Sequence, residues 1–212
     1  MSDRQSADLI LIEIRDSAAI ITFNQPETRN ALSAEMQNCL DRIVTDVTSR
    51  IDIKTLIFTG RDNAFLAGAN IRELSQLDRD SAFSFSERGQ RLFQSIATAR
   101  QKTVAAINGY CMGGGLDFAL ACDLRIATPT AEFAHPGARL GIITGWGGTQ
   151  RLPRVIGRIQ AIEVFARARG LDAPHALRLG LVHALDPSPV EYGLRLAVMS
   201  VRSSGKPTIF SD

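Results

Sequence analysis

An α/β fold in one domain is predicted by three observations on the sequence. Short β-branched runs alternate with stretches of helical periodicity in a repeated strand, loop, helix rhythm. Glycine clusters stand where strands hand over to helices, and no linker-like or low-complexity segment interrupts the 212 residues. With 45% of residues hydrophobic and 22% charged, the chain can bury one substantial core but would be crowded as two domains.

The elements follow in order. Leu9-Ile-Leu-Ile-Glu-Ile-Arg15 and Ala18-Ala-Ile-Ile-Thr-Phe23 are β-rich runs separated by Asp16-Ser17, the pattern of a hairpin. A loop over 24–30 leads to a helix over 33–50, in which Leu32, Met36, Leu40, Ile43, Val44 and Val47 recur at helical spacing and Ser33 supplies the N-cap. Thr55-Leu-Ile-Phe-Thr-Gly60 is a short buried strand that empties into a loop over 61–70. A helix carrying Phe83, Phe85, Leu92, Phe93 and Ile96 comes next. Thr103-Val-Ala-Ala-Ile-Asn108 reads as a strand, 109–115 as a glycine-rich turn and 116–122 as the first turns of a helix. Residues 123–127 and the surroundings of Phe133 are extended, with Asp123 beside Arg125 explained by an ion pair or a turn bond. Gly145-Trp-Gly-Gly-Thr-Gln-Arg-Leu-Pro153 opens a helical region, helices follow over 158–170 and 174–180, and 181–185 is a short extended piece. The tail over 187–212 is less apolar.

Charge and cysteine content exclude several classes of function. The 24 Lys+Arg against 22 Asp+Glu leave a net charge of only +2, which argues against a nucleic-acid partner. Cys39, Cys111 and Cys122 fall at no metal-ligand spacing and cannot all pair within one chain, so neither a disulfide scaffold nor a metal module is expected. The N-terminus lacks an apolar signal segment and no run approaches the ~20 apolar residues of a membrane span, so a cytoplasmic protein with no membrane partner is expected.

Gly113-Gly-Gly115 follows a strand and precedes a helix, so its N–H groups could converge on an anion at the positive end of the helix dipole. It matches neither the dinucleotide fingerprint nor the phosphate P-loop, and a tight junction that needs glycine for close packing explains it equally well. Residues 64–71 also place small side chains between a strand and a helix. Two such loops could form one oxyanion hole, in which the loss of a single donor typically raises the barrier by ~2.7–4 kcal/mol.

Four stretches carry a resemblance. Phe65-Leu-Ala-Gly-Ala-Asn-Ile-Arg-Glu-Leu74, Ala106-Ile-Asn-Gly-Tyr-Cys-Met-Gly-Gly-Gly-Leu-Asp117, Ala121-Cys-Asp-Leu-Arg-Ile-Ala127 and 141–153 resemble, in the family's order, the enoyl-CoA hydratase/isomerase family, or crotonase superfamily. The similarity covers about 20–185. It implies a crotonase-like spiral of repeated ββα units, homotrimers or hexamers, and acyl-CoA thioester substrates, with coenzyme A as the substrate's carrier and no separate cofactor or metal. Carried over residue by residue, the oxyanion-hole amides are those of Ala69 and Gly114, flanked by Gly68 and Gly113. The backbone around Ala67 and Ile71 corresponds to the adenine pocket, Thr28 and Arg29 to the loop along the CoA moiety, and Arg72 to a basic residue near its phosphates.

Four features depart from the family pattern. Its hydratases use two glutamates, and here the first position is Asp117 and the second Gly137. A carboxylate survives with a shorter reach, and the other acid/base group is gone, although such a group commonly contributes ~10²–10⁴ in rate. His135 could titrate near neutral pH, but its alternation with Phe133 favours a structural histidine, either turned from the pocket or held in a satisfied structural bond. Trp146 stands where the family has a small residue, and it either limits acyl length or fills the core. The family continues into further helices, so a core over 1–185 and a shortened C-terminal helical region over 186–212, serving oligomerisation and as a lid, are expected. The reading that results is an enoyl-CoA hydratase-like lyase with Asp117 as sole acid/base carboxylate. Its rivals are an isomerase or decarboxylase of the superfamily and a non-catalytic acyl-CoA-binding protein.

Overall fold

The structure, a computed structural model, describes residues 9–202. Strands β1 (Ile10–Arg15) and β2 (Ala18–Phe23) form the expected antiparallel hairpin, with Ile12 opposite Ile21 and the turn made at Asp16, whose φ is 52°. Beyond β2 the pairing turns parallel through β3 (Thr55–Gly60), β5 (Lys102–Ile107), β7 (Leu124–Ala127) and β10 (Ala184–Leu185), in the order β1-β2-β3-β5-β7-β10. Strands buried on both faces read as continuous apolar runs, and this is why β2, β3 and β5 were recognisable without alternation.

A second sheet consists of β4 (Ala64–Leu66), β6 (Tyr110–Met112), β8 (Glu132–Ala134) and β9 (Leu171–Asp172). The chain passes from the first sheet to the second and then into a helix three times: β3 to β4, β5 to β6, β7 to β8. This is the expected spiral of ββα units. The loop expected over 61–70 and the turn over 109–115 therefore each contain a strand. Three residues are too few to carry a period of two, and the neighbouring glycines masked them.

Helix α1 (Ala34–Ser49) begins where Ser33 Oγ accepts from the Met36 N–H at 3.1 Å, and it buries Met36, Leu40, Val44 and Val47. A short α2 (Ile71–Leu74) precedes α3 (Arg79–Ala97), which buries Phe85, Leu92, Phe93 and Ile96 while Phe83 points to solvent. Helix α4 (Gly114–Ala121) is apolar apart from Asp117 and is enclosed on all sides. Its Phe118 ring meets those of Phe58 at 5.0 Å, Phe93 at 5.4 Å and Phe23 at 5.5 Å, edge to face. Helices α5 (Gly148–Ile156), α6 (Arg158–Arg167) and α7 (Ala173–Arg178) follow.

The tail departs from its expected character. Helix α8 (Pro189–Arg202) lies on β2, β3, β5 and β7, and its Val190, Leu194 and Ala197 join the apolar cluster of Ile20, Ile57, Val104 and Ile126. The i, i+4, i+7 spacing of those three residues is a helical signal, diluted by polar neighbours. Residues 203–212 lie outside the described part. Asp123 accepts from the Thr103 N–H at 2.9 Å, while buried Arg125 donates to the carbonyls of Leu181 at 2.7 Å and Cys122 at 2.8 Å. The anticipated link between Asp123 and Arg125 is thus replaced by two separate backbone anchors. All three cysteines are buried and none is in a disulfide, and no described helix is long and apolar enough to cross a membrane.

His183 Nδ1 accepts from the Arg125 N–H at 3.1 Å, which requires an unprotonated nitrogen, and burial lowers its pKa below the ordinary 6.5. The unfolded chain therefore takes up a proton below pH 6.5 that the folded chain refuses, so stability present above that value is lost as pH falls toward the lowered one. Urea unfolding between pH 8 and pH 5 is expected to show this decline in the native protein and a shallower one in His183→Gln.

Candidate active site

Strands β4 and β6 are parallel neighbours, with Leu66 opposite Cys111, so the junctions that follow them lie side by side. The first crosses Ala67-Gly68-Ala69 into α2, and the second crosses Gly113 into α4. Gly68 at φ 99° and Gly113 at φ 51° adopt the left-handed region that these sharp junctions need. The Ala69 nitrogen lies 3.5 Å from where a Cβ on Gly114 would stand. Neighbouring amides are anchored: Ala67 N–H to Arg29 O at 3.0 Å, Leu32 N–H to Gly68 O at 2.7 Å and Gly113 N–H to Ala134 O at 2.8 Å. Gly114 opens α4, and the first residue of a helix has no intrahelical carbonyl to donate to. Both junctions face a cavity of about 250 Å³.

The cavity is mostly apolar, walled by Ile71, Leu74, Leu77, Phe85, Leu140, Ile142 and Ile143 together with Ser86 and Thr144. One end is closed by Trp146, whose indole packs on Phe85 at 4.9 Å and Phe93 at 5.5 Å and donates from Nε1 to Phe85 O at 3.3 Å. A Cβ on Gly114 would collide with the six-membered ring of this indole. Trp146 is 3% exposed and so fills the core, and it also lines the cavity.

Behind the cavity wall is a polar cluster. Asp117, in the first turn of α4, is wholly buried and is absent from the cavity surface. Its Oδ2 accepts from the Thr144 hydroxyl, and its Oδ1 faces His135 Nε2 at 3.0 Å. Neither Oδ1 nor Nε2 completes a directed hydrogen bond. His135 is 3% exposed, lies against the Phe165 ring at 4.9 Å, and forms part of the walls of this cavity and of a second one of about 320 Å³. The half-buried guanidinium of Arg151, whose pKa is lowered by burial, also feels the opposing pull of Asp117. Glycine at 148 lets the N-terminus of α5 approach, because a Cβ there would strike Asp117 Oδ1.

Of the residues picked out from sequence, Ala67, Gly68, Ala69, Ile71, Gly113, Gly114, Gly137 and Trp146 share one cavity. Thr28, Arg29 and Arg72 do not line it. Thr28 Oγ1 donates to Gln25 O at 3.1 Å, the Arg29 guanidinium lies over the Tyr110 ring at 4.9 Å, and Arg72 occupies the exposed face of α2. Gly137 has no space for a glutamate, since a Cβ there would stand 2.7 Å from Ile142 O. The view of His135 as turned away is overturned. Strand β8 ends at Ala134 and His135 enters a 3-10 turn (Pro136–Leu140), so the alternation set by Phe133 stops one residue too early. Thr144 was missed, because nothing local marks a hydroxyl that binds a carboxylate 27 residues away.

Among the described residues, no group of three or more His, Cys, Asp or Glu side chains could hold a metal ion. The family model described as enoyl-CoA hydratase/isomerase matches residues 13–199. A Mycobacterium bovis protein named "Probable enoyl-CoA hydratase echA8" is 38% identical over 184 residues, covering 85% of this chain and 70% of its own. The short-chain-enoyl-CoA hydratase of Clostridium acetobutylicum is 33% identical over 181 residues, covering 84% and 69%. The structure of Pseudomonas aeruginosa DspI superposes with a TM-score of 0.88 at 34% identity, over 92% of this chain and 81% of that one.

The contact between Gly148 and Asp117 makes a stability prediction. Gly148→Ala is expected to lower the unfolding free energy by about 1–3 kcal/mol, as overpacking does. In an Asp117→Ala background the added methyl has room, so the double-mutant cycle in urea should return a smaller loss than the sum of the two single changes.

Proposed function

Because the chain belongs to the enoyl-CoA hydratase/isomerase family, we propose that it adds water across the double bond of an enoyl-CoA thioester through an enolate held at Ala69 and Gly114. One observation carries this reading: two strand-to-helix junctions present their backbone amides side by side to one apolar cavity. Negative charge grows on the thioester oxygen as the enolate forms. Donors fixed in advance in a water-poor site stabilise that charge with no reorganisation at the moment of reaction. Coenzyme A enters as part of the substrate. Ala67, Gly68, Ile71 and Gly113 line the same cavity as the two amide donors. In this reading the backbone around Ala67 and Ile71 takes the adenine, and Thr28, Arg29 and Arg72, which lie outside the cavity, take the rest of the CoA moiety.

Gly137 favours a second reading. With no carboxylate at that position, loss of carbon dioxide from a malonyl-type thioester would give the same enolate without a second acid/base group. The cytoplasm, where three cysteines without a disulfide remain reduced, is the setting we propose. A homotrimer or hexamer fits the exposed apolar side chains Leu140, Ile142, Ile143, Ile159 and Ile162. Light scattering should then give a mass that is a multiple of three chains, and a monomer would refute it.

Purified protein incubated with crotonyl-CoA, longer enoyl-CoA esters and malonyl-type thioesters should consume the enoyl double bond and yield a product heavier by one water. Carbon dioxide release would select the second reading, and tight binding with no product would sink both in favour of an acyl-CoA-binding protein. Since Trp146 closes the cavity, Trp146→Leu is expected to shift the preference in kcat/KM toward longer acyl chains. An unchanged chain-length profile would show that the indole only fills the core.

A further inference from the structure

Asp117 holds the position from which a carboxylate would serve the reaction, yet the fold walls it off from the cavity. Thr144 grips one of its oxygens and the α5 backbone at Gly148 abuts the other, so the carboxylate is fixed where it is. His135 has the complementary placement. It forms part of the cavity wall, and its Nε2 is turned onto Asp117 Oδ1 at 3.0 Å. Both groups are at least nine-tenths buried, and the two facing atoms lack a directed hydrogen bond in the resting structure. A buried carboxylate and imidazole left in this state are costly to a fold that has no use for them. Acid/base pairs commonly align fully only when substrate is bound or charge develops.

We propose that His135 is the catalytic residue that moves the proton, with Asp117 as the buried positioning residue that orients its ring and balances the imidazolium. This rests on the hydratase reading above. With Nε2 facing Asp117 Oδ1 at 3.0 Å, exchange falls to Nδ1. Nδ1 removes a proton from water as the oxygen bonds to C3 of the enoyl thioester, and the π electrons move onto the thioester oxygen held by Ala69 and Gly114. The imidazolium then gives that proton to C2 as the enolate collapses. One water is added, and His135 ends neutral as it began. The arrangement moves the acid/base function from a carboxylate at 137 to an imidazole two residues earlier.

The groups that bear on its titration are few. Asp117 faces His135 from α4, while α6 contributes the Phe165 ring and the loop before α5 contributes the Thr144 hydroxyl. The Arg151 guanidinium on α5 acts electrostatically on Asp117 in turn, while burial keeps the Cys111 thiol on β6 neutral.

The test compares the native protein with His135→Gln, His135→Asn and Asp117→Asn, each checked for folding by circular dichroism. The readouts are hydration of crotonyl-CoA across pH, and deuterium uptake at C2 of butyryl-CoA in heavy water. Either His135 variant should lose about 100-fold or more in kcat with KM little changed, and should lose the acid limb along which native activity rises as the imidazole becomes neutral. Asp117→Asn should keep part of the activity and move that limb lower, because the imidazolium loses its counter-charge. A folded His135 variant within threefold of native, or an acid limb unmoved in Asp117→Asn, overturns the proposal. If the native protein hydrates nothing but exchanges C2 hydrogen in a His135-dependent way, the hydratase reading falls and the role of His135 stands. No exchange and no hydration removes both.

Discussion

The site depends on two strand-to-helix junctions touching along their backbones. Ala67-Gly68-Ala69 and Gly113-Gly114 can lie this close only because the strands that feed them, β4 and β6, are parallel neighbours and because the meeting surfaces carry almost no side chain. What remains at the contact is peptide N–H, a donor that neither titrates nor changes rotamer. The ββα spiral secures this geometry by passing the chain from one sheet to the other at each turn, so that consecutive junctions stack on one side.

Much of the remaining structure holds those junctions still. Helix α4, whose first amide belongs to the site, is enclosed by the aromatic cluster around Phe118 and cannot rock without opening the core. Asn108 ties the neighbouring loops together, accepting from the Gly60 N–H at 3.1 Å and donating to Gly60 O at 2.8 Å and Asp62 O at 2.7 Å. Trp146 applies the same logic from the cavity side. Its ring is large enough to press on Gly114, and the absence of a side chain there is what allows an indole to close the pocket.

The polar cluster obeys a different constraint. Charge buried in an apolar wall is tolerable only with a partner, and Asp117 has two, on segments far from it in sequence. Glycine at 137 and glycine at 148 each permit a close approach. The first lets the loop fold back onto Ile142, and the second lets α5 close over Asp117.

The sequence by itself determined the fold class, the hairpin, α1 with its Ser33 cap and the strands β3 and β5, because period and capping chemistry are local properties that survive in one dimension. It also determined which residues bring the two junctions together, since a glycine run between a strand and a helix is readable without its partner. Tertiary structure alone decided the meaning of Asp117, His135 and Thr144. From the sequence Asp117 read as the acid/base carboxylate and His135 as structural; the fold buries Asp117 and puts His135 on the cavity wall. The alternation used for His135 ended with β8 at Ala134, and the Thr144 hydroxyl reaches Asp117 across 27 residues. Contacts of that kind are made by the packing of α5 on α4, and no spacing along the chain encodes them.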